Sequence, residues 1–191
     1  MNALTLPSFV GYFLTNTLSL LGTWVQKVGL GWLAWQITES TFWTSVVSLL
    51  LMAPVGLLGP FIAVFAERWN SRYAMLATKI MMLGISGVIF VIQLLGLHNL
   101  FTLVACSTAL GLLSAFHHPI RLVYISLVVP KPYLASAVGL NSVSWNLSRI
   151  IGPGLAGLTI HLMGLSETFF IAILLYAPLI VSLYFLVLNA V

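Results

Sequence analysis

Charge is what this chain has least of. Only 5% of its 191 residues are Asp, Glu, Lys or Arg, where a soluble domain carries about 25%. Hydrophobic residues make up 61%, and the mean hydropathy is +1.13. That leaves too little polar surface to clothe a water-soluble core, so the chain belongs in a lipid bilayer. Acid is scarcest, with three carboxylates, Glu39, Glu67 and Glu167. Each falls at the edge of an apolar stretch or between two, so no acid stands mid-membrane to relay protons. The lone cysteine, Cys106, excludes an intrachain disulfide. Alternating strand patterns are missing, which excludes a membrane β-barrel. Without a glycine-rich phosphate loop, the chain is not its own ATPase. No nucleophile–base pair and no metal-ligand spacing stand out, so neither an intramembrane enzyme nor a metal or cofactor is expected. The seven basic residues are scattered, and a net charge of +4 does not point to nucleic acid. The N-terminus lacks a basic region, and its first apolar stretch is too long for a signal peptide, so a retained span is expected there.

What is present is length and oil. A membrane helix needs about 20 mostly apolar residues. Six such stretches fit, at roughly 9–36, 43–65, 74–96, 100–119, 134–163 and 168–188. The expected fold is all-α, a polytopic protein of six transmembrane helices forming one domain over 1–191.

Charges between the stretches orient them. "ERWNSR" (67–72) lies between helices 2 and 3 and holds Glu67, Arg68 and Arg72, with Lys79 one to two turns into helix 3. Arg121 and Lys131 fall in the connection between helices 4 and 5. The opposite connections carry Glu39, "LHN" (97–99) and Glu167. Every loop Lys and Arg therefore lies on one side. Positive charge stays cytoplasmic, so both termini are expected inside.

Lys27 in helix 1 and Arg149 in helix 5 break this pattern by standing deep in their spans. A charge at that depth faces a water-filled cavity or a buried partner. Structurally, it could instead be a cation hydrogen-bonded to backbone carbonyls. Asn16, Thr23 and Lys27 share a face of helix 1 by spacing, as do Ser142, Asn146, Arg149 and Pro153 on helix 5. Such stripes line a substrate pathway or glue helices together. Gly and Pro inside helix 2 (Pro54, Gly56, Gly59, Pro60) and helix 5 (Gly152, Pro153, Gly154, Gly157) read as kinks or as a flexing gate. His117 and His118, in "HHP", are the candidates for titration near neutral pH. The bland reading makes them interfacial polar residues. Adjacent histidines do not share a helix face, and no acid accompanies them, so they do not form a metal site.

These residues together resemble the N-terminal half of a major facilitator superfamily transporter, in its enterobactin-exporter and macrolide-efflux-like branch. "LLGTWVQKVGLGWLAWQIT" (20–38) is similar to that branch's helix 1. "AVFAERWNSR" (63–72) fits the superfamily loop motif glycine–x–x–x–aspartate–arginine–x–glycine–basic–basic. "SAFHHPIR" (114–121) resembles the branch's helix 4 end. "LNSVSWNLSRIIGPGLAG" (140–157) joins a branch signature to the exporters' helix 5 motif, matched here by Gly139, Gly152, Pro153 and Gly157. Departures are Ala63, Glu67, Asn70 and Ser71 in the loop motif and His117 at an acidic position. Ser107 stands where proton antiporters have arginine, and Ser148 and Ala156 replace helix 5 glycines.

The resemblance implies a half-size or truncated secondary transporter. It would export a drug, siderophore or metabolite by alternating access with a second six-helix half, either a second copy or a separate chain. Asn16, Thr23, Lys27, Asn146 and Arg149 would line the substrate pathway, the two cations favouring an anionic or amphipathic cargo. Glu67, Arg68 and Arg72 would form the cytoplasmic gate. The expected setting is a bacterial plasma membrane, with the bilayer, the second half and a small molecule as partners. The competing reading is a membrane protein that transports nothing, as accessory subunit or remnant.

Overall fold

In lipid, a backbone with no water to bond must bond to itself, and a helix does so within one segment. The computed structural model describes residues 3–66 and 68–188. Glu67, expected at the gate, lies outside the described residues. Among these run six long helices: α1 (Pro7–Thr38), α2 (Thr41–Ala66), α3 (Ser71–Leu94), α4 (Leu100–Val128), α5 (Leu134–Leu162) and α6 (Leu165–Leu188). Short 3-10 turns at Ala3–Thr5 and Lys131–Tyr133 precede α1 and α5.

Helix ends follow local chemistry. Pro7 opens α1, where a missing N–H is harmless. Glu39 closes it in the left-handed region at φ 48° and donates its N–H to the Trp35 carbonyl at 2.8 Å. Asn99 and Thr102 form a capping box on α4. Gly164, at φ 113°, turns the chain from α5 into α6. Asn70 caps α3: its Oδ1 accepts the N–H groups of Arg72 at 3.2 Å and Tyr73 at 3.4 Å. Against the superfamily motif Asn70 is a departure, yet here it supplies the cap. Asn70→Ala should therefore lower stability by about 1 kcal/mol, measured as thermal unfolding in detergent.

Five helices lie within three residues of their expected bounds. The exception is α4, which runs to Val128 rather than ending at 119. Pro119 reads as a stop signal in sequence. Its ring removes one helix bond, but Ile120, Arg121, Tyr124 and Ile125 are buried beyond it and hold the next turns in place. Arg121 is thus not a loop residue. It is buried inside α4.

Six comparably apolar spans were expected. By length and composition, α2, α3, α4 and α6 qualify to cross a membrane. Helices α1 and α5 have the length, at 32 and 29 residues, but not the apolarity. Asn16, Ser19, Thr23, Gln26 and Lys27 dilute α1, and Asn141, Ser142, Ser144, Asn146, Ser148 and Arg149 dilute α5.

Packing does not follow chain order. Helix α1 packs mainly on α6 and α5, α4 mainly on α2 and α3, and α3 also on α6. Exchanging α1 with α4, α2 with α5 and α3 with α6 maps these contacts onto themselves. The two tightest approaches fall at the exchanged pair of interfaces, α2–α4 and α1–α5, with the glycine on opposite sides of the exchange. At Gly111 of α4 an added Cβ would strike the Leu50 carbonyl oxygen of α2, and at Gly152 of α5 it would strike the Trp24 Cβ of α1. Two apolar clusters fill opposite ends. One gathers Phe9, Tyr12, Met75, Tyr124 and Leu183; the other gathers Leu30, Leu51, Ile89, Leu103 and Phe169. Between them lies a polar layer.

Candidate functional site

The polar layer contains a cavity of about 140 Å³ lined by residues from α1, α2, α3, α4 and α5. Its basic wall comprises Lys27, Lys79, Arg121, His117 and His118, and Met52, Met82 and Trp145 supply apolar surface. Among the described residues no carboxylate lines it. Glu39 and Glu167 are exposed at helix ends.

Aromatic faces take the place of acids. Lys27 Nζ lies 4.8 Å from the Trp24 ring centre, and Lys79 Nζ lies 4.8 Å from that of Tyr176. The Arg121 guanidinium carbon is 5.1 Å from the Trp145 ring. His118 meets Trp145 edge-on at 5.4 Å, and Trp145 meets Trp24 at 6.0 Å. An aromatic face attracts a cation, by about 2 kcal/mol when desolvated. It does not neutralise one. Lys79 and Arg121 are only 1% and 2% exposed. The Arg121 Nε and the His117 Nε2 are buried with no hydrogen-bond partner.

Hydrogen bonds stiffen the wall. Tyr176 donates its hydroxyl to Gln26 Oε1 at 2.7 Å, and Gln26 Nε2 donates to Ser86 Oγ at 2.7 Å, joining α6, α1 and α3. Thr78 Oγ1 and His117 Nδ1, 3.0 Å apart, join α3 to α4.

The expected pathway residues separate. Thr23 and Lys27 line the cavity. Asn16 is buried between helices and is not among the lining residues. Asn146 and Arg149 lie on the exposed face of α5. There Asn146 Nδ2 donates to the Ser142 carbonyl at 2.9 Å, and the Arg149 guanidinium carbon sits 6.0 Å from the Trp24 ring centre. Lys27 and Arg149 thus share Trp24. Of the helix 5 motif, Gly152 is the close-approach residue against α1, whereas Gly139 and Gly157 face open space. Pro153 is half-buried within α5. In the gate stretch Arg68 is exposed and Arg72 half-buried. Trp69 stacks on Phe116 of α4 at 6.1 Å.

His117 and His118 do line one cavity, although adjacent residues on a helix point about 100° apart. The cavity is wide enough at α4 to meet both. Arg121, expected in the connection after helix 4, is a cavity residue; Lys79, expected one to two turns into helix 3, is in that helix and also lines the cavity. Lys79 carried a readable signal: Met75, Thr78, Lys79, Met82 and Ser86 recur at helical spacing and form the buried face of α3. Arg121 carried none once Pro119 was taken as the end of its helix. Tyr176 and Trp145 look in sequence like ordinary membrane aromatics.

A bundle of long, largely apolar helices around a cavity that three cations line describes a multi-pass membrane protein. The match to a transmembrane secretion effector family over residues 2–190 makes it particular: the chain belongs to that family, within the major facilitator superfamily. Its contact exchange is the three-plus-three repeat described for each six-helix half of superfamily members. The chain is 26% identical over 182 residues to the staphyloferrin A transporter of Staphylococcus aureus, covering 88% of this chain and 44% of that protein. It is 26% identical over 159 residues to YfiS, an uncharacterized MFS-type transporter of Bacillus subtilis, covering 82% of this chain and 37% of that one. The chain thus spans less than half the length of these curated relatives. No solved structure matches it.

Proposed function

We propose that the chain is one six-helix half of a secondary active transporter. It exports a small molecule across a bacterial plasma membrane by alternating access against a second six-helix half. The observation that carries this reading is the half-open cavity, walled by five helices and lined by Lys27 and by the buried Lys79 and Arg121. A charge is kept inside a membrane protein where it faces a pathway or a partner. Helices α1 and α5, too polar to stand alone in lipid, would then cross the bilayer with their polar faces toward the cavity or the second half. That gives six spans in one domain, with both termini cytoplasmic. The exposed Asn146 and Arg149 would be covered by the second half, supplied by another copy or a separate chain. Transport names on both relatives, and their greater length, support the same reading. The helix 5 stretch supports export and the enterobactin-exporter and macrolide-efflux-like branch.

Reconstitution into liposomes tests it, with staphyloferrin A as the first probe because one relative is named for carrying it. Flux above that of empty liposomes, lost in Lys27→Ala and Arg149→Ala, is the expected result. Flux unchanged in both variants would remove the pathway role of these cations. No flux with any candidate second half would favour a non-transporting protein.

A further inference from the structure

Three cations reach the cavity from three different helices: Lys27 from α1, Lys79 from α3 and Arg121 from α4. Lys79 lies within electrostatic reach of both others. Burying one charge in a poorly polarisable interior costs several kcal/mol unless it is paired. Three of one sign, close together, add mutual repulsion that the interior screens weakly. Among the described residues no carboxylate pairs them. Glu39 and Glu167 are exposed at helix ends and are not among the lining residues.

The hydroxyls of the wall carry no charge to neutralise a cation, though their oxygens can still accept hydrogen bonds. Thr23 and Ser114 donate theirs back to the Ser19 and Leu110 carbonyls of their own helices. The charged groups at the cavity are all cationic, and Arg121 Nε is a buried N–H with no partner. That is the chemical complement of carboxylate or phosphate oxygens.

Because the cations come from separate helices, one compact monoanion cannot neutralise them all. A molecule with several anionic groups on a short skeleton can, with Met52, Met82 and Trp145 against its carbon atoms. The size agrees. A cavity of about 150 Å³ takes a benzene-sized molecule, so 140 Å³ takes about that much of a ligand, and the half-open mouth lets the rest of a short polyanion project from it.

We infer that this cavity binds a small polyanion, carrying two or more carboxylate or phosphate groups, through Lys27, Lys79 and Arg121. The inference names the cargo class of the transport site proposed above and rests on that reading for its biological meaning. Binding itself can be measured without transport.

The test is titration of the purified full-length protein in lipid nanodiscs. Tricarballylate (propane-1,2,3-tricarboxylate) is the carboxylate probe and pyrophosphate the phosphate probe. Butyrate and the neutral triamide of tricarballylate are the controls. Saturable binding of at least one polyanion is expected, with butyrate and the triamide at least tenfold weaker. Which probe binds distinguishes carboxylate from phosphate cargo. Lys79→Gln and Arg121→Gln should each weaken that binding tenfold or more, Lys79→Arg should retain most of it, and Lys131→Gln, an exposed charge loss on the turn before α5, should leave it unchanged. Lys79→Met, close to lysine in length, serves as a second charge-removing variant should the glutamine variant misfold. Equal binding of the triamide, or polyanion binding that survives loss of both Lys79 and Arg121 charges, would overturn the inference, as would no binding of either probe. Binding as expected without flux in liposomes that also hold each candidate second half would leave the site assignment supported and count against the transporter reading instead.

Discussion

Lys79→Met should make the empty protein more stable, by about 1–4 kcal/mol, the range seen when buried charged groups give way to apolar residues of similar volume. The sign is unusual, since most substitutions destabilise. Its cause is local. Lys79 is 1% exposed and lies over the Tyr176 ring at 4.8 Å. Lys27 and Arg121 share its cavity, and among the described residues no carboxylate does. Methionine keeps the unbranched stem and its packing while removing one of three like charges. The measurement is the melting temperature in detergent without added anion, compared with wild type. A fall of similar size would mean that Lys79 is already neutralised in the folded protein, and the unpaired-cation account would fail. Stability gained where a binding group is lost is the trade expected of a site held in strain for function.

Gly111→Ala should act in the opposite direction, and about as strongly. An alanine methyl at this position would occupy the place of the Leu50 carbonyl oxygen, with Pro54 Cγ a further 3.2 Å from it. A backbone oxygen cannot swing away as a side chain can. Helices α2 and α4 would have to separate along one of the most extensive contacts of the fold. Overpacking costs about 1–3 kcal/mol where side chains can adjust and more where they cannot, so a loss of about 3 kcal/mol or more is expected. Gly84→Ala is the internal comparison. Nothing stands within 4 Å of its added Cβ, and alanine is the better helix former by about 1 kcal/mol. Thermal unfolding of the two variants side by side checks the pair. Equal melting temperatures would show that α2 and α4 do not pack this closely.

Both predictions concern features that the sequence displays only in part. Gly111 is one of 15 glycines, and nothing in its neighbours marks it as the contact with α2. Gly152 stood out through its Gly-Pro setting, yet its role against Trp24 is a matter of which helix lies beside it. Gly139 and Gly157, matched to the same motif, make no such approach. Lys27 was legible because one lysine stands alone in a long apolar stretch. Arg149 was legible for the same reason, but its place on the outer face of α5 was not, since periodicity assigns residues to a shared face without saying what the face meets.

By itself the sequence determined the solvent, the secondary structure and the family. Apolar runs about as long as a bilayer is thick leave a helix as the only local solution. The scarcity of carboxylates is equally a property of composition, and it guarantees that cations buried together go largely unpaired by the chain itself. The tertiary structure alone decided which cations those are. Helix α4 continues past Pro119 because Tyr124 and Ile125 find a core beyond it, and that continuation carries Arg121 out of the expected loop and into the cavity. Lys79 joins it because α3 packs between α4 and α6 and turns its polar face inward. Long-range packing chose the neighbours, and the neighbours turned an expected loop charge and a helix-end charge into the centre of the site.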